Sequence, residues 1–159
     1  MPEPLSPSAQ KVQDALHDFG LDLQVQELPA STRTAVEAAQ AVGCDVGQIV
    51  KSLVFRGKHS GSPLLILVSG SNRVNEQTVA RVLGEPVAKA DADFVRQHTG
   101  FVIGGVPPVG HAEKLHTLMD EDLLQYNQIW AAAGTPNALF QLQAQDLLKI
   151  SAAVLCKIT

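Results

Sequence analysis

The sequence has only two cysteines and no long apolar run. These two features argue against a disulfide-rich protein and against a membrane-spanning helix. Cys44 and Cys156 lie far apart, and neither belongs to a CxxC pair. We therefore expect no disulfide framework and a reducing, cytoplasmic setting. The apolar runs are short, as at residues 64–68, whereas a membrane helix needs about 18 consecutive apolar residues. The first eight residues are rich in proline and serine, unlike a signal peptide.

Positive charge is also scarce. The formal net charge is −4 at pH 7, which argues against a large basic face for duplex DNA. A local basic funnel stays compatible with this total if the fold brings Arg56, Lys58 and Arg73 close to Lys51. Scattered surface charge is the more common arrangement, and the sequence leaves both alternatives open.

Familiar catalytic and metal-binding motifs are missing. The five histidines form no HxH, HxxxH or HExxH pattern, so we expect no metal and no cofactor. The sequence also lacks a GxSxG elbow and a Walker A loop. It offers no obvious side-chain nucleophile, so an enzyme of this sequence would depend on positioning, backbone groups and one cation.

Helices and short strands alternate without a strict βαβ rhythm, which predicts an α+β fold with a mixed sheet. The length of 159 residues predicts one domain, residues 1–159. Ser6 or Ser8 is expected to cap a first helix, and Thr34 with Glu37 forms a capping box for a second. Further helices are predicted at residues 74–83, 91–98 and 144–150. Strands are predicted at residues 21–28, 49–56, 64–69, 86–90, 101–103, 115–119, 128–132, 138–142 and 152–158.

Residues 99–111 combine an apolar triplet with glycines and prolines. Residues 101–103 predict a buried strand that ends near Gly104, because strand interiors disfavour glycine and proline. Glycine lets a ligand approach the backbone closely, and proline fixes φ and removes an N–H donor. We expect a stiff loop with bare backbone groups, which suits either a binding site or a rigid surface turn.

Lys51 is the other unusual residue. It lies within residues 47–55, where its neighbours on both sides are largely apolar. A lysine in such a strand either faces solvent by alternation or points into a cleft. The first is the more common arrangement, because lysine is rarely buried unpaired; the second is a way to place a charge at a site.

Together these segments resemble the YbaK/prolyl-tRNA-synthetase-associated editing domain family. The matching pieces are residues 49–55, 67–70, 99–111 and 130–142, and they occur in the family's order. The resemblance implies a compact mixed β-sheet, partly barrel-like and surrounded by helices. It also implies a free-standing trans-editing hydrolase that deacylates mischarged tRNA, with tRNA(Pro) or a relative carrying a wrong small amino acid as substrate.

The resemblance further implies a set of site residues. Lys51 matches the family's essential lysine, and Gly104 and Gly105 match backbone groups that flank the scissile ester. The implied substrate-binding residues are Val106, Pro107, Pro108, His111, Ala132, Ala133 and Gly134. Some family members carry a polar residue where this chain has two alanines at 132–133, which leaves the amino acid open.

The implied partner is the acceptor end of an aminoacyl-tRNA, with no role for DNA or a membrane. An aminoacyl-tRNA synthetase is a second partner that the resemblance leaves open. The alternative function is a non-catalytic module that binds a nucleotide or an RNA end, or a partner domain for a synthetase.

Overall fold

The computed structural model describes residues 4–159, so the start of the proline- and serine-rich segment lies outside the described residues. The helices are α1 (Pro7–Asp18), α2 (Ala35–Val42), α3 (Glu76–Leu83), α4 (Ala92–Thr99) and α5 (Ala144–Ser151). The strands are β1 (Gln26–Glu27), β2 (Ile49–Gly57), β3 (Pro63–Ser69), β4 (Val87–Lys89), β5 (His116–Asp120), β6 (Gln128–Ala132), β7 (Ala138–Gln143) and β8 (Val154–Cys156). Two short 3-10 helices span Val46–Gln48 and Glu121–Gln125.

The eight strands form one mixed sheet, in the order β1-β7-β6-β2-β3-β5-β8, with β4 paired to β2. The β2–β3, β2–β4, β6–β7 and β1–β7 pairs are antiparallel. The β2–β6, β3–β5 and β5–β8 pairs are parallel. The predicted α+β class and mixed sheet are therefore confirmed.

One edge of β2 is paired at both ends but open in the middle. β3 covers the opposite edge along residues 50–56. On the open edge, β6 pairs with Ile49 and Val50, and β4 pairs with residues 55–57. Within the described residues 4–159, no strand lies beside residues 51–54 on that edge, although the Ala90 N–H donates to the Val54 carbonyl at 3.2 Å. The sheet therefore has a gap beside Lys51.

The apolar core occupies both faces of the sheet around β3. Leu65 and Leu67 belong to the largest buried cluster, which includes side chains of α1 and α5. Leu64 and Ile66 point to the other face, into a second cluster with α3. This alternation is the period of two expected of a strand covered on both faces. A third cluster packs α2 against Ile49, which places that helix next to the gap.

The strand predicted at residues 21–28 is largely wrong, since only Gln26 and Glu27 pair with β7. Alternation persists, with Val25 buried between exposed neighbours. The reason lies in α1: the Gln13 amide donates to the Leu23 carbonyl at 2.8 Å and accepts from the Val25 N–H at 2.9 Å. A helix side chain thus satisfies backbone groups that a neighbouring strand would otherwise pair.

The strand predicted at residues 101–103 is also wrong, because the segment forms a turn after α4. The Phe101 N–H donates to the Thr99 hydroxyl at 3.0 Å, and the Gly105 N–H donates to the Val102 carbonyl at 3.0 Å. Phe101 is buried at 2% exposure, whereas Ile103 is 54% exposed. Helix capping and a local turn therefore satisfy this backbone, and one aromatic ring anchors it.

The Thr34 cap is predicted to stabilise α2. Its hydroxyl accepts from the Glu37 N–H at 3.1 Å, as the capping box indicates. We expect Thr34→Ala to lower the free energy of unfolding by about 1 kcal/mol, because one N–H of the first turn loses its acceptor. Urea denaturation measures the change, and Thr78→Ala, inside α3, is the control. Equal stability of the Thr34 variant and the wild type would contradict the prediction.

Candidate functional site

A cavity of about 470 Å³ opens at the gap in the β2 edge. Its floor is β2, and α2 with the residues just before it forms one wall. Gly104 and Val106 form another part of the wall, together with Ala132 at the end of β6. Most of the lining is aliphatic, with Val50, Val54, Val95, Val106 and Leu139 contributing. An aliphatic cavity with a few polar groups at its wall is the usual form of a small-ligand site.

Lys51 lines this cavity and is half-buried. Its Nζ donates to the backbone carbonyl of Asn72 at 2.5 Å. Burial lowers the pKa of Lys51, the charges of Arg73 and Lys89 lower it further, and Asp120 partly offsets them. Lys51 thus forms part of the wall of a cleft, while its ammonium group is directed to the carbonyl of Asn72, which lies outside the cavity lining. A desolvated ammonium group at a cavity wall interacts more strongly with an anion than one in bulk water.

Two further cations lie at the cavity, and the sequence did not single them out. Arg33 and Lys89 both line it and are exposed. Of the three residues that could have formed a basic funnel with Lys51, Arg73 lies close enough to affect Lys51, but Arg56 and Lys58 do not line the cavity. Lys89 could not be recognised from the local sequence, because this residue reaches the site only through the pairing of β4 with β2.

The loop that contains Gly105 meets the loop that contains Gly134 behind the cavity wall. The Gly134 N–H donates to the Gly105 carbonyl at 2.9 Å. A Cβ on Gly105 would lie 2.9 Å from three backbone atoms of Thr135, so the loops touch without a side chain between them. Gly104 has φ +91°, and a Cβ there would lie 2.9 Å from Cγ of Arg33. Glycine at 104 and 105 therefore permits close packing that other residues would prevent.

The predicted site residues separate into those that line the cavity and those behind it. Lys51, Gly104, Val106 and Ala132 are in the lining. Gly105, Ala133 and Gly134 are buried and lie outside it. The latter three support the wall through the backbone rather than face the cavity.

Pro107, Pro108 and His111 extend away from the Lys51 cavity. Pro107 is buried, while Pro108 and His111 line a second cavity of about 790 Å³. His111 Nε2 donates to the Pro107 carbonyl at 2.7 Å, and burial lowers the pKa of His111. The imidazole thus holds the turn that follows the glycines.

The described residues 4–159 contain no cluster of three or more metal-ligating side chains. Among the helices described, none is long and apolar enough to cross a membrane. Cys44 and Cys156 are free thiols, and burial raises the pKa of both. Cys156 is partly buried against the α3 side of the sheet.

The model of the aminoacyl-tRNA editing domain family matches residues 29–150, and the chain belongs to this family. A crystal structure of a candidate trans-editing enzyme for prolyl-tRNA synthetase superimposes with a TM-score of 0.93, at 54% identity over 98% of this chain and 99% of that chain. The family resemblance and the fold it implies are thus confirmed.

Two curated relatives are more distant. EbsC of Enterococcus faecalis, a candidate Cys-tRNA(Pro)/Cys-tRNA(Cys) deacylase, is 25% identical over 127 residues, which cover 79% of this chain and 77% of EbsC. The proline–tRNA ligase of Limosilactobacillus fermentum is 35% identical over 94 residues, which cover 57% of this chain but 16% of the ligase. The chain thus resembles a small part of the synthetase.

Proposed function

We propose that this protein is a trans-editing deacylase that hydrolyses the ester of mischarged tRNA in the cytoplasm. The proposed substrate is tRNA(Pro), or a related tRNA, bearing a wrong small amino acid. The observation that carries the proposal is the half-buried Lys51 in an aliphatic cavity next to the bare backbone of Gly104. The family match and the relatives named for deacylation and trans-editing support it.

The chemistry does not require a side-chain nucleophile, because an aminoacyl ester is already activated. Water adds to the carbonyl carbon, the bond to the ribose oxygen breaks, and that oxygen takes up a proton. Lys51 would hold the terminal nucleotide or its phosphate and stabilise negative charge as it develops on the ester. Backbone groups at Gly104, which lines the cavity, would orient the ester, the water or the ribose hydroxyl, and the buried Gly105 would hold that backbone in place from behind the wall.

The aliphatic wall would select the amino acid by size. Ala132 and the valines offer no hydrogen-bonding side chain in their part of the wall. One methylene is worth roughly 1–3 kcal/mol of discrimination in such a pocket. A second selection by size, at the editing step, therefore adds to the discrimination between amino acids achieved when the tRNA is aminoacylated. We infer that small amino acids enter this part of the cavity and larger ones do not.

The exposed cations at the cavity are predicted to bind the acceptor end through phosphates. Arg33→Ala and Lys89→Ala are each expected to weaken tRNA binding. Each should also reduce the slope of log K against log salt concentration by about 0.7, as for one single-strand phosphate contact. Filter binding between low and moderate salt measures both effects. Lys58→Ala is the control, and an equal change in that variant would contradict the assignment.

The direct test is single-turnover hydrolysis of tRNA(Pro) charged with alanine, serine, cysteine or proline. We expect at least one mischarged tRNA to be hydrolysed well above the buffer rate. Hydrolysis of all four at the buffer rate, by both wild type and Lys51→Ala, would contradict the proposal. Tight, salt-sensitive binding without turnover would then identify a binding module, and co-purification with a synthetase would identify a partner domain.

A further inference from the structure

Asn72 connects Lys51 to two carboxylates. It lies in the loop between β3 and α3, and its backbone carbonyl accepts the hydrogen bond from Lys51 Nζ. Its side-chain amide donates to Oδ2 of Asp120 at 2.9 Å and to Oδ2 of Asp122 at 2.8 Å. The residue that holds the ammonium group is therefore itself held at its side chain.

Asp120 anchors this arrangement from the end of β5. It is 1% exposed, and its carboxylate also accepts from the Ser69 N–H at 3.1 Å and the Asp122 N–H at 3.0 Å. A buried carboxylate is tolerated when hydrogen bonds satisfy it. The parallel pairing of β3 with β5 brings the C-terminal ends of both strands together, which places Asp120 beneath the Asn72 loop.

We propose that Asn72 and Asp120 are positioning residues for Lys51. Asp120 fixes the Asn72 amide, and the Asn72 carbonyl then holds the ammonium group of Lys51, a residue that lines the cavity. A lysine side chain has considerable rotamer freedom, so a fixed acceptor confines Nζ to one place. The inference rests on the proposed function for its catalytic consequence, but the positioning itself is a property of the unliganded protein.

Charges around Lys51 come from several elements. Arg73 follows Asn72 in the same loop and Lys89 projects from β4, and both disfavour the charged lysine. Asp120 at the end of β5 favours it, and Asp122 lies beyond the Asn72 amide. Asp120 thus opposes two cations, so its charge is expected to matter as well as its hydrogen bonds.

The first test measures Lys51 directly. The 13Cε shift of labelled lysine, assigned with Lys51→Met, reports the Nζ titration without any substrate. Asp120→Asn removes the favourable negative charge, so we expect the pKa of Lys51 to fall further below that in the wild type. Asn72→Ala, at a partly buried position, tests the positioning of Lys51 even if Asp120→Asn does not fold. The backbone carbonyl of residue 72 remains in the Asn72→Ala variant but loses the two side-chain hydrogen bonds that hold it in place, so we expect the Lys51 resonance to broaden or shift.

The second test measures hydrolysis. Asn72→Ala is expected to slow single-turnover deacylation by about 10- to 100-fold, because misplaced groups cost roughly that much. The dissociation constant for tRNA should change little. The deacylation rate should decline at high pH as Lys51 loses its proton. In Asp120→Asn this decline should begin at a lower pH than in the wild type. Asn75→Ala is the matched control, because it removes two hydrogen bonds to the N–H groups of Gln77 and Thr78 at the other end of the same loop.

An unchanged Lys51 titration and resonance in both variants would overturn the proposal. So would a slowing in Asn72→Ala no larger than in Asn75→Ala. If the wild type hydrolyses no mischarged tRNA, the proposed function fails, whereas the NMR titration still decides whether Asp120 and Asn72 position Lys51. The two failures are therefore distinguishable.

Discussion

Lys51→Ala is expected to slow single-turnover deacylation by about 100- to 1,000-fold, the range found when one charge-stabilising donor is removed from an active site. The effect should be large because Lys51 is the cation held within the wall of the cavity, while Arg33 and Lys89 are exposed at it. Rapid-quench measurement with the best mischarged tRNA of the panel provides the rate.

Lys51→Met separates charge from packing. Methionine keeps an unbranched apolar stem in the strand but removes the ammonium group. We expect the methionine variant to lose as much activity as the alanine variant and to unfold at a similar urea concentration to the wild type. A methionine variant with wild-type rate would show that the charge of Lys51 has no part in hydrolysis.

Gly105→Ala is expected to destabilise the protein by about 1–3 kcal/mol, as overpacking of a tight contact does. The added methyl group would lie 2.9 Å from the N, Cα and C atoms of Thr135, and backbone atoms cannot move aside as a flexible side chain can. The shift would strain the hydrogen bond from the Gly134 N–H to the Gly105 carbonyl. Because Gly104 and Ala132 are attached to these two loops, we also expect slower deacylation.

Urea denaturation and single-turnover rates measure the two effects, with the rates taken well below the unfolding midpoint. Gly61→Ala is the control, because Gly61 has φ +71° and a Cβ there would have no atom within 4 Å. That variant should lose about 1–2 kcal/mol from the left-handed backbone alone and keep its deacylation rate. Equal effects of the two variants on the rate would contradict a special role for the contact between the loops.

Elements with local signals could be predicted from the sequence. Thr34 with Glu37 predicted the start of α2, and the structure has Thr34 as the N-cap of that helix. The strands predicted at residues 49–56 and 64–69 correspond to β2 and β3, which pair antiparallel. These features depend on residues close in sequence, so local propensity decides them.

Two predicted strands failed because distant or neighbouring groups satisfied their backbone instead. Gln13 of α1 bonds the backbone at Leu23 and Val25, and Thr99 caps the segment at Phe101. An apolar triplet or an alternating run does not reveal such partners. Strand propensity describes a fit to a pleated surface, and here that surface is absent.

The site could be predicted in part. Lys51 could be singled out because it is a charged residue in an apolar run. Gly104 and Gly105 could be singled out because glycine leaves the backbone without a side chain. The roles assigned to those residues stay predictions. Arg33, Lys89 and Asp120 carried no local signal. Strand pairing brings Lys89 and Asp120 near Lys51, and the packing of α2 against the sheet brings Arg33 to the cavity.

We propose that the acceptor end of tRNA enters the cavity beside Lys51. A crystal structure with a 3′-aminoacyl adenosine 5′-phosphate, in which an amide replaces the ester, tests it most directly. We predict that the amino acid side chain occupies the aliphatic part of the cavity, with its carbonyl next to Gly104 and the nucleotide next to Lys51. Binding in the second cavity beside His111, or no binding at concentrations that inhibit hydrolysis, would contradict the claim.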